Sequence, residues 1–195
     1  MANQLAMIQH ELDVPTRGSG FTRLDPIINR WLATTGISNG ALHLTCLHTS
    51  ASLTINENAD PRVLDDLASW MDRVVPRNHP YRHDDEGPDD MPAHIRTALT
   101  AQTMTLSLAK GRLWLGTWQA VYLWEHRDAA HQRRIACQLI GEQDSAAQRA
   151  TKLNQDILQR HDPDAWARDG GLDTDVDLMV DRLHDITSDS LPADP

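Results

Sequence analysis

An α+β domain is the fold class that three patterns in this chain point to. Short apolar runs alternate with period two, isolated helical patterns interrupt the first half, and four strand-like runs follow one another between residues 103 and 140. A doubly wound sheet would keep alternating strand and helix, whereas strands gathered after a few helices belong to α+β architectures.

Residues 4–12 alternate and form a first strand, and Pro15-Thr16-Arg17-Gly18-Ser19-Gly20 is a loop by composition. Asp25-Pro26 reads as an N-cap with a first-turn proline, opening a helix that ends at Gly36. From Ala41 to His48 the period is two, with Leu42, Leu44, Cys46 and His48 on one face. Ser52 to Glu57 alternates again, so Leu53, Ile55 and Glu57 share a face. Asp60-Pro61 repeats the cap-and-proline signal. The helix behind it carries an apolar stripe at Val63, Leu67, Trp70 or Met71, and Val74 before Pro76. Asp90 with Pro92 caps a third helix running to about Gln102. Strands are expected at 103–109 and 112–116 about the Lys110-Gly111 turn, then at 119–126 and 133–140.

The chain has 195 residues, enough for one domain with a good core and an appendage. No apolar run approaches the roughly 20 residues of a membrane span, and the N-terminus lacks the basic and apolar regions of a signal peptide. Cys46 and Cys137 sit inside apolar runs and read as buried thiols, so a cytoplasmic protein is expected. A net charge of −10 argues against a general nucleic-acid binder but leaves a small anionic substrate open. Charge is uneven. Residues 1–142 hold 16 acids and 13 bases, while 143–195 hold 12 and 5. A working domain at 1–142 and an acidic extension at 143–195 follow from that shift. Apolar seams near 145–160 and 174–187 suggest two surface helices there, and disorder is expected over 188–195.

Residues 78–94 are the densest stretch of chemistry, with three histidines and five carboxylates around Gly87-Pro88. So much acid self-repels unless protons or cations neutralise it. Either a solvated loop or a polar site explains it. The site reading draws on His48 at a strand end, His83 in the loop and His94 in the first turn of a helix, a position that also favours anions. Imidazoles from separate elements with carboxylates beside them suit a metal, although no CxxC pair is present. Ser50 and Ser52 beside His48 could bind a phosphate or a metal-bound water, or simply cap a strand. Serine catalysis would need an elbow glycine pattern that is absent. Glu57 shares a face with apolar residues and must be paired or functional. Trp118-Gln119 could line a ring pocket or serve packing, and Arg133-Arg134 suits phosphate or surface carboxylates equally.

Three of these motifs carry a resemblance. The runs His48 to Pro61, Tyr81 to Ile95 and Gly111 to Gln119, with Glu125-His126-Arg127 and Arg133-Arg134, are similar to the signatures of the YjbQ family over roughly residues 4–142. The resemblance implies a compact layered sheet with helices, assembled as a homotrimer with sites between subunits. It also implies a secondary thiamine-phosphate synthase activity, joining a pyrimidine methyl diphosphate to a thiazole phosphate with release of diphosphate. On that basis His48, His83 and His94, with Asp90, would hold a divalent metal (zinc or magnesium) or the leaving diphosphate. Glu57 and Glu86 would hold the metal or orient imidazoles, Arg127 and Arg134 would take phosphate charge, and Trp118 and Gln119 would contact the ring, beside Ser50, Ser52 and Asn56. A non-catalytic metal- or metabolite-binding trimer is the alternative. The chain departs from the family pattern at Asp128-Ala129-Ala130-His131-Gln132, where a glycine-containing turn is usual. Alanine at a positive φ would put the geometry of Arg133-Arg134 in doubt.

Overall fold

The structure, a computed structural model, describes residues 4–143. Of the acidic extension only Gln143 falls inside, so its expected helices and disordered end lie outside the described residues. Eight strands and three helices alternate as β1 (Gln4–Pro15), β2 (Gly20–Arg23), α1 (Asp25–Leu32), β3 (Ile37–Cys46), β4 (Ala51–Glu57), α2 (Pro61–Val74), α3 (Asp90–Leu99), β5 (Thr103–Ala109), β6 (Arg112–Leu113), β7 (Gln119–Glu125) and β8 (Gln132–Gln143). The α+β expectation holds. No helix among the described residues is long and apolar enough to cross a membrane.

The strands form two antiparallel sheets, one in the order β1-β8-β3-β5-β6 and one in the order β2-β7-β4. The alternating inner faces of β1, β3, β5 and β8 supply Leu12, Val14, Leu42, Leu44, Leu106, Ile135 and Leu139 to one core, which also takes Leu53, Val121, Leu123 and the α1 residues Ile28 and Leu32. Strand β7 is buried along nearly its whole length, because its other face meets a second cluster. There Trp124 packs with Met71 and Val75, flanked by Phe21, Leu67 and Ile95, so α2 and α3 cover that side. The layers run sheet, sheet, helices. A strand buried on both sides has no polar face to alternate with, which is why β7 reads as the near-continuous apolar run Ala-Val-Tyr-Leu-Trp.

Local signals placed most elements to within a few residues, and the differences have identifiable causes. Strand β2 is too short to show a period, and pairing with β7 alone defines it. Helix α1 stops at Leu32 rather than Gly36, and Asp25 is its first residue, not its cap. The Asp25 carboxylate instead takes two hydrogen bonds from Arg23, at 2.8 and 2.9 Å. Asp60 does cap α2, accepting the Arg62 N–H at 3.0 Å. Strand β6 ends at Leu113 instead of 116; its ladder with β5 holds two pairs, Leu108 with Leu113 and Ala109 with Arg112. The β5–β6 turn places Lys110 at φ 54° and Gly111 at φ 72°, the left-handed pair that a two-residue hairpin requires.

The doubt about Ala129-Ala130 is resolved in the neighbouring loop. Neither alanine has a positive φ. Asp128 sits against the 15–20 loop, where Gly18 at φ +119° leaves room for the Asp128 carbonyl oxygen; a Cβ on Gly18 would stand 2.5 Å from it. The glycine that the β7–β8 turn lacks is thus supplied from the facing loop. Gly18→Ala is expected to destabilise the fold by about 2–3 kcal/mol, through both strain and collision, read as a lowered denaturation midpoint. Ala129→Gly should change stability by well under that amount.

Candidate functional site

Asp90 opens α3, but it does not cap it. Asp89 occupies the cap position without a side-chain cap bond, and the Asp90 carboxylate turns inward instead, only 3% exposed. Its Oδ1 accepts from Arg127 Nη1. Its Oδ2 is buried with no hydrogen-bond partner, although His83 Nε2 stands 2.8 Å away and His94 Nε2 3.4 Å away. His83 is close enough to bond but is not aligned for it. His94 lies one helical turn beyond Asp90, which is why both reach the same point.

His94 Nδ1 stands 3.0 Å from the Thr49 carbonyl oxygen. A carbonyl can only accept, so Nδ1 carries a proton, and in the neutral ring Nε2 presents a lone pair toward Asp90. A lone pair and a carboxylate oxygen at 3.4 Å oppose each other unless a proton or cation stands between them. The donor atoms of His83, Asp90 and His94 all lie within 4.8 Å of one another. A four-coordinate ion with bonds near 2.0–2.1 Å sets its ligands about 3.3 Å apart, so the spacing fits. The outer partners, a backbone carbonyl for His94 and a guanidinium for Asp90, are those that fix metal ligands in place.

Arg127, expected to meet phosphate, is spent on the acidic loop. Besides Asp90 it donates from Nε to Asp89 Oδ2 at 3.0 Å and from Nη2 to the Glu86 carbonyl at 2.9 Å. Asp89 also accepts the Asp128 N–H at 2.9 Å, and Arg77 pairs with Asp128. Burial works against the charge of Asp89, but these bonds outweigh it and hold its carboxyl below the ordinary range. The Glu86 carboxylate itself is exposed, 4.0 Å from Arg127.

Beneath this surface lies a buried polar network whose partners sequence reasoning did not join. Arg133 donates to Glu125 from Nε at 2.6 Å and from Nη2 at 2.5 Å, and to Ser50 Oγ at 3.1 Å. Glu125 also accepts from Thr16 Oγ1 at 2.9 Å and from the Arg127 N–H at 3.0 Å. Desolvation opposes its charge, yet Arg133 and these donors keep its pKa below the ordinary carboxylate value. His126, 1% exposed, shares a 2.9 Å hydrogen bond with Ser52 through Nε2, while its Nδ1 has no partner. Burial, reinforced by the charge of Arg96, lowers its pKa to about 4. Ser50 and Ser52 therefore spend their hydroxyls inside the protein. The one signal that could have found the network is Glu125-His126-Arg127 closing an apolar strand, where charge has no reason to sit unless paired.

The structure brings His83, Asp90 and His94 together and leaves the other expected residues elsewhere. His48 lies in the turn between β3 and β4, where Nε2 accepts the Arg134 N–H at 2.8 Å. Burial, with Arg133 and Arg134 adding to it, lowers its pKa, so it is neutral at pH 7. It adjoins Thr49, the residue that orients His94. Arg134 remains half exposed, with a 3.5 Å contact to Glu11. Asn56, Glu57, Trp118 and Gln119 stand at the far end of β4 and β7, about 20 Å from Ala51 at strand spacing. There Asn56 Oδ1 accepts the Glu57 N–H at 2.8 Å, Gln119 Oε1 accepts the Gly116 N–H at 2.8 Å, and the Trp118 indole is exposed. The Glu57 carboxylate has no ion pair among the described residues.

Two measurements test the network. Glu125→Gln strands the buried Arg133 charge and should cost about 3–5 kcal/mol of stability. For His126, the folded pKa lies below the unfolded one, so protonation favours unfolding. Its contribution is complete above pH 6.5 and is lost as pH falls toward 4, by up to about 3 kcal/mol. His126→Gln should flatten the stability profile across that window.

The family model described as UPF0047 protein YjbQ-like matches residues 10–142. The chain is 45% identical over 137 residues to a UPF0047 protein of Synechocystis, covering 69% of this chain and 93% of the relative. It is 43% identical over 135 residues to the UPF0047 protein YjbQ of Escherichia coli O157:H7, covering 69% and 98%. Among solved structures, a conserved hypothetical protein from Thermus thermophilus superimposes with a TM-score of 0.59 at 34% identity, over 66% of this chain and 97% of that one. A protein of unknown function from Sulfolobus solfataricus reaches a TM-score of 0.65 at 18% identity, over 71% and 100%, and shows the shared fold alone. The chain thus belongs to the UPF0047, YjbQ-like family.

Proposed function

We propose that this protein is a metal-dependent enzyme acting on a small phosphorylated metabolite at a centre built on His83, Asp90 and His94. The observation that carries the reading is the buried, unpartnered Asp90 Oδ2 facing two imidazole Nε2 atoms. Two imidazoles and one carboxylate suit zinc or a similar first-row ion better than magnesium. Three protein ligands leave a coordination position open, the pattern of catalytic rather than structural sites. When bound, a divalent cation supplies electrostatic stabilisation of charge building on a phosphate leaving group.

The chain's own residues do the rest. Thr49 fixes the His94 tautomer, and Arg127 holds Asp90 and Asp89 in place. Arg134, half exposed beside His48, offers a cation to a phosphate, while His48 Nε2 is already engaged by the Arg134 N–H. The family resemblance makes thiamine-phosphate synthase-type transfer the specific chemistry to test. A homotrimer in the cytoplasm completes the reading. Asn56, Glu57, Trp118 and Gln119 lie too far from the centre within one chain, and a neighbouring subunit could deliver them. A second reading, a non-catalytic metal- or metabolite-binding trimer, draws on the internal commitment of Ser50, Ser52 and Glu125, which leaves few free acid–base groups.

Protein purified without chelator is expected to hold one zinc-like ion per chain. Asp90→Asn and His94→Ala should each weaken metal affinity tenfold or more and abolish product formation from the pyrimidine and thiazole phosphates. Full metal content in an Asp90→Asn/His94→Ala double variant would sink the assignment. Metal and ligand-induced thermal stabilisation without turnover would select the binding module. Light scattering should return the mass of three chains, and a monomer would remove the intersubunit part of the reading.

A further inference from the structure

A second candidate site lies at the opposite end of the molecule. Two adjoining hollows, of about 660 and 580 Å³, share Asp25, Asn29 and Arg112 between α1 and the β5–β6 hairpin. The hairpin is tied to Ser38 at the start of β3, whereas the histidine centre sits beyond Cys46 at its end, about 25 Å away at strand spacing. Within one chain the two sites are therefore separate, although Gln119, which lines one hollow, is among the residues that the proposed trimer would carry toward a neighbour's histidine centre.

The hollows are built and unusually charged for this chain. Asn29 Oδ1 accepts the Leu113 N–H at 2.9 Å, which ties the hairpin to the helix. Asp25 is neutralised by its two bonds to Arg23. That leaves Arg30, Lys110 and Arg112 lining the space with no carboxylate partner among the described residues, in a protein of net charge −10. Arg112 on β6 and Trp114 just beyond it flank the buried Leu113, both exposed, and the Trp114 N–H still bonds the Ser107 carbonyl of β5 at 2.9 Å. Trp114 is 73% exposed, the most exposed of the large apolar side chains among the described residues. Lys110 is the single non-glycine residue among the described ones with a positive φ, at 54°. A turn of this kind ordinarily takes asparagine, aspartate or glycine, and lysine there carries a backbone cost.

We propose that this cleft binds a mononucleotide-like ligand, an organic phosphate carrying a planar ring. Arg112, with Lys110 and Arg30 about it, takes the phosphate through charge-assisted hydrogen bonds, and the Trp114 indole stacks on the ring. The volume suits a ligand of that size, since small-molecule sites span roughly 300–1,000 Å³. The pairing of Asp25 with Arg23 removes the one carboxylate that would repel an anion.

The test is calorimetric titration of the full chain with AMP and UMP, beside inorganic phosphate and adenosine. At least one nucleotide should bind tenfold or more tightly than either fragment. Lys110→Ala/Arg112→Ala should weaken that binding tenfold or more. Trp114→Ala should weaken nucleotide binding severalfold and leave inorganic phosphate unchanged. His94→Ala should leave nucleotide binding intact, which separates this site from the metal centre. Nucleotides binding no better than phosphate, or a double variant that binds like the parent at an unchanged melting temperature, would overturn the proposal.

Discussion

The buried pair of Glu125 and Arg133 is the constraint on which the rest of the site depends. Two charges taken out of water are tolerated only when nearly every lone pair and proton finds a partner. Here Glu125 takes both Arg133 contacts, the Thr16 hydroxyl and the Arg127 N–H, while Arg133 also reaches Ser50. Those bonds join the loop after β1, the entry to β4, the end of β7 and the start of β8. Geometry then propagates outward. With its backbone pinned by Glu125, Arg127 aims its guanidinium at Asp89 and Asp90, and Asp90 is thereby fixed under the two imidazoles.

The same chain of contacts answers the electrostatic problem of the acidic loop. Arg127 and Arg77 engage Asp89, Asp90 and Asp128, while Asp84 and Asp85 stay solvated at the surface. Arginine suits this task because three separate nitrogens of its planar fork point in fixed directions to two carboxylates and a carbonyl at once. One demand is left over. Asp90 Oδ2 faces two ring nitrogens without an aligned hydrogen bond, a local arrangement that a proton or a cation between them would satisfy.

His126 shows how the scaffold constrains chemistry. Its neighbour Glu125 favours a protonated ring, but burial and the charges of Arg96 and Arg133 outweigh that pull. The ring therefore stays neutral and serves Ser52 and the packing of Trp124, at a ring-centroid distance of 5.1 Å. A histidine bonded to a serine suggests a nucleophile and its base. Complete burial gives this pair a structural task, because no substrate reaches it.

Much of the fold was legible residue by residue. Period-two runs marked most strands, Asp60-Pro61 marked the start of α2, and Lys110-Gly111 marked the hairpin, because each depends on neighbours a few positions away. The family signatures likewise stand in the chain, and so do His83, Asp90 and His94 within a stretch of twelve residues. The partners of those residues were not legible. Thr16 meets Glu125 across 109 positions, Ser50 meets Arg133 across 83, and Arg127 meets Asp90 across 37. No period or spacing encodes such contacts; the β1-β8-β3 and β2-β7-β4 strand orders create them. The sequence alone determined most of the elements, the short β2 excepted, and which side chains are available for chemistry, since these follow from local sterics and periodicity. Tertiary structure alone decided that Arg127 is bonded to Asp89 and Asp90, that Ser50 and Ser52 face inward, and that Asp90 is left facing two imidazoles. Burial and long-range pairing set each of those outcomes.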